Sequence, residues 1–439
     1  MTFRKTVFWL HLVAGVVAGL VIAVMSFTGV ALAFEKEIVA WVERDVRTVT
    51  PPSADAARLP VSQLLARVRA IAPDAKPSAV VVSADPTQAV AVTLGRDGGY
   101  YVDPYTGDVR SQGAPRTRAF MNTMEAWHRW LAAEGSSRAT GRALTGACNA
   151  AFLFLAFSGF YLWWPRSWSW RGVRAILWPN VRLAGKARDW NWHNAVGFWC
   201  APVLIVLTAT GMVMSYGWAN ALVYRAVGET PPVRRGPGAG AAGSSHAISA
   251  PTDGARPLGY DALLAAVENQ SPAWGQITLR LATPTRGAPQ ARTASASAPT
   301  TREPGSASSP SSHTANRRAA GAASTPVTFA VRDRAAWPKF SSTTVTLDPF
   351  TGAVLRREGF SDLSTGRRLR SWIRFLHTGE ALGWTGQLIA GAASLGGGVL
   401  VWTGLALGFR RFLGRKRSRS PKTAVIPRGA VLSNENAGD

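Results

Sequence analysis

Histidines are the residues of this 439-residue chain with the clearest capacity for metal chemistry. Four of the six occupy matched places: His11 and His193 each open a long apolar stretch, whereas His128 and His377 each precede one. The other two lie in low-complexity sequence. Burying an ionisable side chain in or beside a membrane segment costs free energy, so each of the four matched histidines is a candidate functional residue.

Two imidazoles near each membrane face predict two bis-histidine sites, His11 with His193 and His128 with His377. This arrangement suits b-type haem, whose iron commonly takes imidazole nitrogens as axial ligands. A lone interfacial histidine more often bonds headgroups or carbonyls, but four placed symmetrically favour two haem b groups. Mononuclear zinc is disfavoured because structural zinc sites usually gather four N or S ligands. Small residues would let a flat macrocycle lie against the helices: Ala14, Gly15, Ala195 and Gly197.

Four apolar stretches are long enough to cross a bilayer, which takes about 20 residues at about 1.5 Å each. Trp and Tyr crowd their ends, as in an interfacial aromatic belt. The predicted order is a tail with the first membrane helix (1–34), a first outer domain with an interfacial helix (35–142), the second helix (143–164), a basic loop (165–192), the third helix (193–218), a second outer domain (219–383), the fourth helix (384–409) and a basic tail (410–439).

The first apolar stretch has a second interpretation, a cleaved signal peptide. Arg4 and Lys5 precede it, and Ala31-Leu32-Ala33 resembles a small-residue cleavage site. Its apolar run exceeds the about 7–15 residues of a secretory h-region. It also carries His11 and shares a pattern with the third stretch, so an uncleaved membrane helix is favoured.

Composition and charge narrow the class of protein. A hydrophobic content of 47% excludes a disordered chain, and two cysteines, Cys148 and Cys200, exclude a disulfide scaffold. The net charge of +24 suggests nucleic acid or a membrane surface. Of this, +13 lies in segments 1–10, 165–192 and 410–439, which the positive-inside rule makes cytoplasmic. Both termini are therefore predicted inside, with the basic tail touching lipid headgroups and no nucleic-acid partner.

The two halves of the chain repeat each other. His11-x3-Gly15 with Thr28-Gly29 recurs 182 residues later, at His193 and Thr210. An Asp-Pro-aromatic-Thr-Gly sequence at 103–107 recurs 245 residues later, at 348–352. The same offset of 245 relates three further features: Gly141 to Gly386, Gly146 to Gly391, and Ser158-Gly159 to Thr403-Gly404.

An insertion at about 231–325 interrupts the second outer domain. It is mostly Ala, Gly, Ser, Thr, Pro and Arg, a composition that predicts disorder, with a periodic apolar pattern only at 258–281. It contains His246, His313 and a GxGxxG match at 238–243, which has no strand before it and no helix after it.

Each outer domain otherwise predicts a small α+β unit. The first has a helix at 61–71 and strands at 79–82, 89–94 and 100–102; the second has a helix at 262–267 and strands at 277–281, 327–331 and 343–347. The Asp-Pro-aromatic-Thr-Gly sequences predict tight hairpin turns. The predicted fold is an internally duplicated, all-α four-helix transmembrane bundle with two small periplasmic α+β domains.

In combination these residues resemble the PepSY-associated transmembrane family of bacterial inner-membrane proteins, often linked to iron uptake. The similarity rests on the two His-x3-Gly and Thr-Gly patterns, the two Asp-Pro turns, Gly-Phe-Tyr-Leu-Trp-Trp at 159–164 and Leu376-His377. It implies four helices and two periplasmic PepSY-type domains. Some members are described as haem-bearing reductases that release iron from ferric siderophores, and the four matched histidines fall at the family's ligand positions. The insertion and the Trp127-His128-Arg129 setting depart from the family's pattern.

The leading functional hypothesis is electron transfer across the inner membrane to a periplasmic ferric siderophore, with a cytoplasmic or quinol electron donor. The bound cofactor would carry the redox chemistry while the protein supplies position and axial ligation. One alternative is a non-enzymatic membrane protein whose PepSY-type domains bind a peptide, a protease or siderophore-uptake partners. Another is a siderophore transporter subunit, which the absence of charged residues within the spans disfavours.

Overall fold

The structure is a computed structural model that describes residues 2–95, 98–165, 168–232, 248–251, 255–281 and 323–417. His246, His313, the GxGxxG match and most of the predicted insertion lie outside the described residues. Within the insertion, Tyr260–Gln270 forms a helix and Trp274–Arg280 forms a strand, where the periodic apolar pattern at 258–281 predicted a helix and a strand. The apolar residues of this stretch recur with a period that places them on one side of each element, where they can be buried.

Helices account for most of the described chain. Their bounds are α1 Phe3–Ala33, α2 Glu35–Val42, α3 Arg44–Arg47, α4 Val61–Ile71, α5 Pro115–Trp130, α6 Ser137–Trp163, α7 Trp170–Leu177, α8 Gly185–Ser215, α9 Gly217–Arg225, α10 Tyr260–Gln270, α11 Thr365–His377 and α12 Trp384–Arg417, with a 3₁₀ turn at Glu380–Leu382. Four of these, α1, α6, α8 and α12, are long and apolar enough to cross a membrane within the described residues. Each predicted span coincides with one of these helices; α1 lies within its predicted bounds, and α6, α8 and α12 each extend beyond theirs at one end.

The chain divides into two compact units. The described residues of the first unit are 2–27, 147–165, 168–208 and 392–417, and so contain a part of each long helix together with α7. Ala18 and Ile22 of α1 pack against Cys148 of α6 in its core. Helices α8 and α12 approach closely, because a Cβ built on Gly396 would lie 2.3 Å from the Cys200 sulfur. Cys148 and Cys200 are both free thiols.

The second unit, residues 28–146 and 209–391, is built around an antiparallel sheet. Its strands are β1 Ala79–Ser83, β2 Val90–Thr93, β3 Gly99–Val102, β4 Val109–Ser111, β6 Trp274–Arg280, β8 Val327–Asp333, β9 Thr343–Leu347 and β10 Val354–Glu358; β5 Ile248–Ser249 and β7 Ala323–Ser324 form a separate short pair. Among the described residues the sheet has eight strands in the order β10-β9-β8-β6-β1-β2-β3-β4. Strands β1 and β6 pair at its centre, with Ala79 opposite Arg280 and Ser83 opposite Gln276.

The central pairing corrects the prediction of two separate small domains. Each half is a four-stranded meander, and β1 and β6 would be unpaired edge strands if the halves stood apart. Instead, α4 and α10 cover one face of the joined sheet, and both halves bury residues in a single core, including Leu64, Val80, Leu263, Ile277 and Phe329. The two α+β halves therefore form one folded domain.

The two Asp-Pro turns adopt the predicted hairpin geometry. Asp103 Oδ1 accepts hydrogen bonds from the backbone N–H of Tyr105 at 2.8 Å and Thr106 at 3.3 Å. Asp348 Oδ1 accepts the equivalent bonds at 2.7 and 3.2 Å. Gly107 and Gly352 follow at φ +79° and +70°, a region that favours glycine. The turns connect neighbouring strands of the sheet.

Candidate functional site

The first candidate site, here called the first pair, joins His11 of α1 and His193 of α8 inside the first unit. Their ring centroids lie 6.4 Å apart and their ring planes are nearly perpendicular, at 87°. The structure therefore brings together two histidines that the sequence placed on different membrane helices. Both side chains are half-buried.

A buried hydroxyl orients each imidazole of the first pair. His11 Nδ1 lies 2.8 Å from Ser158 Oγ of α6, and His193 Nδ1 lies 2.9 Å from Thr403 Oγ1 of α12. Each hydroxyl donates its own hydrogen to the carbonyl four residues earlier in its helix, at 2.7 and 2.8 Å. The hydroxyl oxygen must then accept from the imidazole, so Nδ1 carries the proton and Nε2 keeps its lone pair. A neutral imidazole in this state is a metal ligand whose orientation is set by its outer partner.

Glycines give the two rings their space. A Cβ built on Gly159 would lie 3.3 Å from His11 Cε1, and a Cβ built on Gly404 would lie 3.2 Å from His193 Cε1. Each glycine directly follows the hydroxyl residue that bonds the same ring. The Ser-Gly and Thr-Gly dipeptides thus hold the imidazole on one side and leave room for it on the other.

The second candidate site, the second pair, joins His128 near the end of α5 and His377 at the end of α11. Both belong to the second unit, and their ring centroids also lie 6.4 Å apart, with an interplanar angle of 58°. Hydrogen bonds connect His128 Nδ1 to Thr28 Oγ1 at 3.0 Å and His377 Nδ1 to Thr210 Oγ1 at 3.1 Å. Each pair therefore has the same separation and a hydroxyl partner on each Nδ1.

Glycines at the starts of α6 and α12 dock the two histidine-bearing helices. A Cβ on Gly141 would lie 2.1 Å from the Trp130 carbonyl oxygen, and a Cβ on Gly386 would lie 2.2 Å from the Gly379 carbonyl oxygen. Real Cβ atoms do not approach backbone oxygens this closely, so only glycine allows the ends of α5 and α11 to pack here. These two glycines are the pair that the offset of 245 related in the sequence.

A buried carboxylate anchors α5. Glu43, 1% exposed, accepts two hydrogen bonds at 2.7 Å from the Arg118 guanidinium and one at 2.9 Å from the Tyr101 hydroxyl. These hydrogen bonds raise the pKa of Arg118, and burial followed by the Glu43 bond raises the pKa of Tyr101. The network ties the helix that carries His128 to the sheet.

The geometry of both pairs fits a metal ion held between two imidazoles. With metal–nitrogen distances of about 2 Å, two imidazoles on opposite sides of one ion have ring centroids about 6 Å apart. The observed separation is 6.4 Å in both pairs. Within the described residues, no group of three or more His, Cys, Asp or Glu side chains could hold a metal ion. The residues at hand therefore offer two protein ligands per site, the number that a bis-histidine haem requires.

The residues that sequence reasoning did not assign to the sites are the four hydroxyl partners: Thr28, Ser158, Thr210 and Thr403. All four belong to the duplicated patterns, so the repeat offsets were the signal that could have found them. Their role depends on contacts between different helices, which the offsets alone do not reveal.

The fold and the paired histidines define a multi-pass membrane protein with an antiparallel sheet domain and two candidate metal centres. No curated protein sequence matches the chain. The PepSY-associated TM region family matches residues 8–411, and the chain belongs to this family. The family resemblance noted in the sequence is thereby confirmed.

Proposed function

We propose that this protein is a haem-containing inner-membrane reductase that passes electrons across the membrane to periplasmic ferric chelates, including ferric siderophores. The observation that carries the proposal is the equal spacing of the two histidine pairs, each ring bonded at Nδ1 by a hydroxyl. A bound b-type haem supplies reversible one-electron exchange at its iron.

In this proposal the protein's own residues position the cofactors. His11 and His193 supply Nε2 ligands at one site, and His128 and His377 supply the ligands at the other. The hydroxyls on Nδ1 hold the ring orientation and increase the electron donation of the imidazole. Reduction of a chelated Fe(III) lowers its charge and weakens its attraction to hard oxygen ligands, which would loosen the iron.

The positive-inside distribution supports both termini in the cytoplasm, because +13 of net charge lies in the two terminal segments and the 165–192 loop. The sheet domain and the second pair would then face the periplasm, where a ferric chelate arrives. Reporter fusions at the end of α12 and in the 282–322 region test this topology. Periplasmic activity of the fusion at the end of α12 would contradict it.

The decisive experiment is the absorption spectrum of the purified full-length protein. We expect a haem Soret band that shifts on dithionite reduction, and about two haems per chain in a pyridine haemochrome assay. His11→Ala and His193→Ala should each remove the same haem, and His128→Ala and His377→Ala the other. Loss of one common haem in His11→Ala and His128→Ala would refute the pairing.

A colourless preparation from haem-replete cells would exclude the reductase proposal. It would favour the alternative of a non-enzymatic family member whose sheet domain binds a peptide or an uptake partner. The His313→Ala variant is a matched control, since that histidine lies in the low-complexity insertion. It should retain both haems.

A further inference from the structure

A groove on the surface of the first unit lies beside the first pair. It has a volume of about 380 Å³ and is formed by α1, α8 and α12 within the first unit. Its lining includes Phe27, Asp189, Trp192, Gly398, Trp402 and Thr403. Thr403 is the residue whose hydroxyl bonds His193, so the groove reaches the outer partner of the first pair.

One end of the groove is a buried carboxylate. Asp189 is fully buried and is the only acidic residue in the described part of the first unit. Arg188 donates to its Oδ1 at 2.9 Å, and an Arg410 nitrogen lies 3.1 Å from its Oδ2. Within the described residues, however, Oδ2 accepts no hydrogen bond of proper geometry. A carboxylate oxygen has two lone pairs, so Oδ2 can accept a hydrogen bond from a ligand in addition to its ion pair with Arg410.

The rest of the groove is apolar and elongated. Along α12 it extends from Leu395 to Thr403, about 12 Å at 1.5 Å per residue. Gly398 lets the Phe27 ring pack closely against α12, because a Cβ there would lie 3.3 Å from that ring. A fitting ligand is therefore a lipid-soluble molecule with an aromatic or apolar body and a donor head.

We propose that this groove binds a membrane hydroquinone, the electron donor of the proposed reductase. The phenolic O–H would donate to Asp189 Oδ2, the ring would lie against Trp192 and Trp402, and the tail would follow α12 toward Phe27. Trp192 and Trp402 offer aromatic faces to a hydroquinone ring, which a phospholipid lacks, so the hydroquinone is the better occupant. The inference rests on the proposed function, which requires a donor at the first pair.

One hydroquinone supplies the electrons for two ferric ions. Oxidation of one hydroquinone breaks two O–H bonds, forms two C=O bonds and releases two electrons and two protons. The electrons reduce two Fe(III) ions to Fe(II), one each. The two protons pass to the aqueous phase.

Photolabelling of the full-length protein in nanodiscs with an azidoquinone tests the site directly. We expect labelled peptides from α8 and α12 in the wild type, and about tenfold lower labelling in Asp189→Asn, from the loss of a hydrogen bond to a charged acceptor. Trp402 is 69% exposed, so Trp402→Leu leaves the packing intact and should lower labelling severalfold. Trp9→Leu, in a second apolar groove lined by Thr6, Leu10 and Val13, is the matched tryptophan control and should not change it.

A second readout separates this proposal from the proposed function. Duroquinol should reduce the wild-type haem, and more slowly in Trp402→Leu than in Trp9→Leu. If dithionite reduces the haem but duroquinol does not, and labelling does not depend on Asp189 or Trp402, the groove proposal is wrong and the reductase proposal stands. Labelling equally lost in Trp9→Leu, or abolished by competing phospholipid alone, would also overturn it. A haem-free protein that is still labelled at α8 and α12 would leave a quinone site without the proposed reductase.

Discussion

Replacing Thr403 by valine removes one hydroxyl from the first pair while nearly preserving side-chain volume. Thr403 is 2% exposed, and its Oγ1 lies 2.9 Å from His193 Nδ1. Valine offers the ring no hydroxyl acceptor, so the His193 N–H loses this partner. The imidazole then donates less electron density to a metal at Nε2 and is held less firmly.

Loss of the hydroxyl should affect both the metal affinity and the midpoint potential of the first pair. Loss of an outer partner of a ligating histidine typically lowers metal affinity about 10–100-fold. A hydrogen bond of this kind contributes about 1 kcal/mol, which corresponds to about 40 mV for a one-electron couple. Because the Nδ1 bond stabilises Fe(III) over Fe(II), its removal should raise the midpoint potential by about 40 mV at the first pair only.

Spectroelectrochemical titration of the purified protein measures this shift. Thr208→Val is the matched control, because Thr208 is 3% exposed and its hydroxyl bonds the Leu204 carbonyl four residues earlier but is not bonded to a histidine. We expect one of two potentials to rise in Thr403→Val and both to stay unchanged in Thr208→Val. Equal shifts in the two variants, or a fall in potential in Thr403→Val, would refute the assigned role of the hydroxyl.

Three further predictions test the surroundings of the sites. Gly404→Ala should displace His193 by a few tenths of an ångström and alter the spectrum of the first-pair haem, whereas Gly408→Ala, whose Cβ would lie 3.5 Å from the nearest side chain, should not. Glu43→Gln should cost about 2 kcal/mol of stability. Breaking a fully buried ion pair costs about 3–5 kcal/mol, and the loss is smaller here because the arginine partner is 35% exposed. An unchanged melting temperature would contradict this prediction. Burial, followed by a neighbouring carboxylate, raises the pKa of Glu35, so its ionisation destabilises the folded state as pH rises. Glu35→Gln should therefore raise the melting temperature at pH 7, and the gain should vanish below about pH 4, where glutamate is protonated in both states.

Local patterns predicted several elements of the sheet domain well. The helix at 61–71 and the strand at 343–347 have the predicted bounds, since each has a clear apolar period. Strands β4 and β10 were missed: β4 has three residues and β10 is almost wholly exposed, so neither has the alternation of a half-buried strand. Their pairing comes from the hairpin turns before them.

In the candidate sites, too, the sequence predicted some residues and missed others. Repetition of the histidine patterns identified four residues and predicted one pair for each membrane face. The hydroxyl partners were visible only as repeated dipeptides, because nothing in a Thr-Gly sequence says which side chain on another helix it will meet. Likewise, the groove beside Asp189 depends on the packing of three helices.

By itself, the sequence determined the four membrane spans and the duplicated patterns, to which the four histidines belong. Hydropathy and repetition are properties of the linear chain. Only the tertiary structure decided that the two α+β halves share one sheet and that each pair lies 6.4 Å apart with hydroxyls on Nδ1. The physical reason is that these features require contacts between distant segments. Edge-strand pairing and helix packing create such contacts, and local preferences do not specify them.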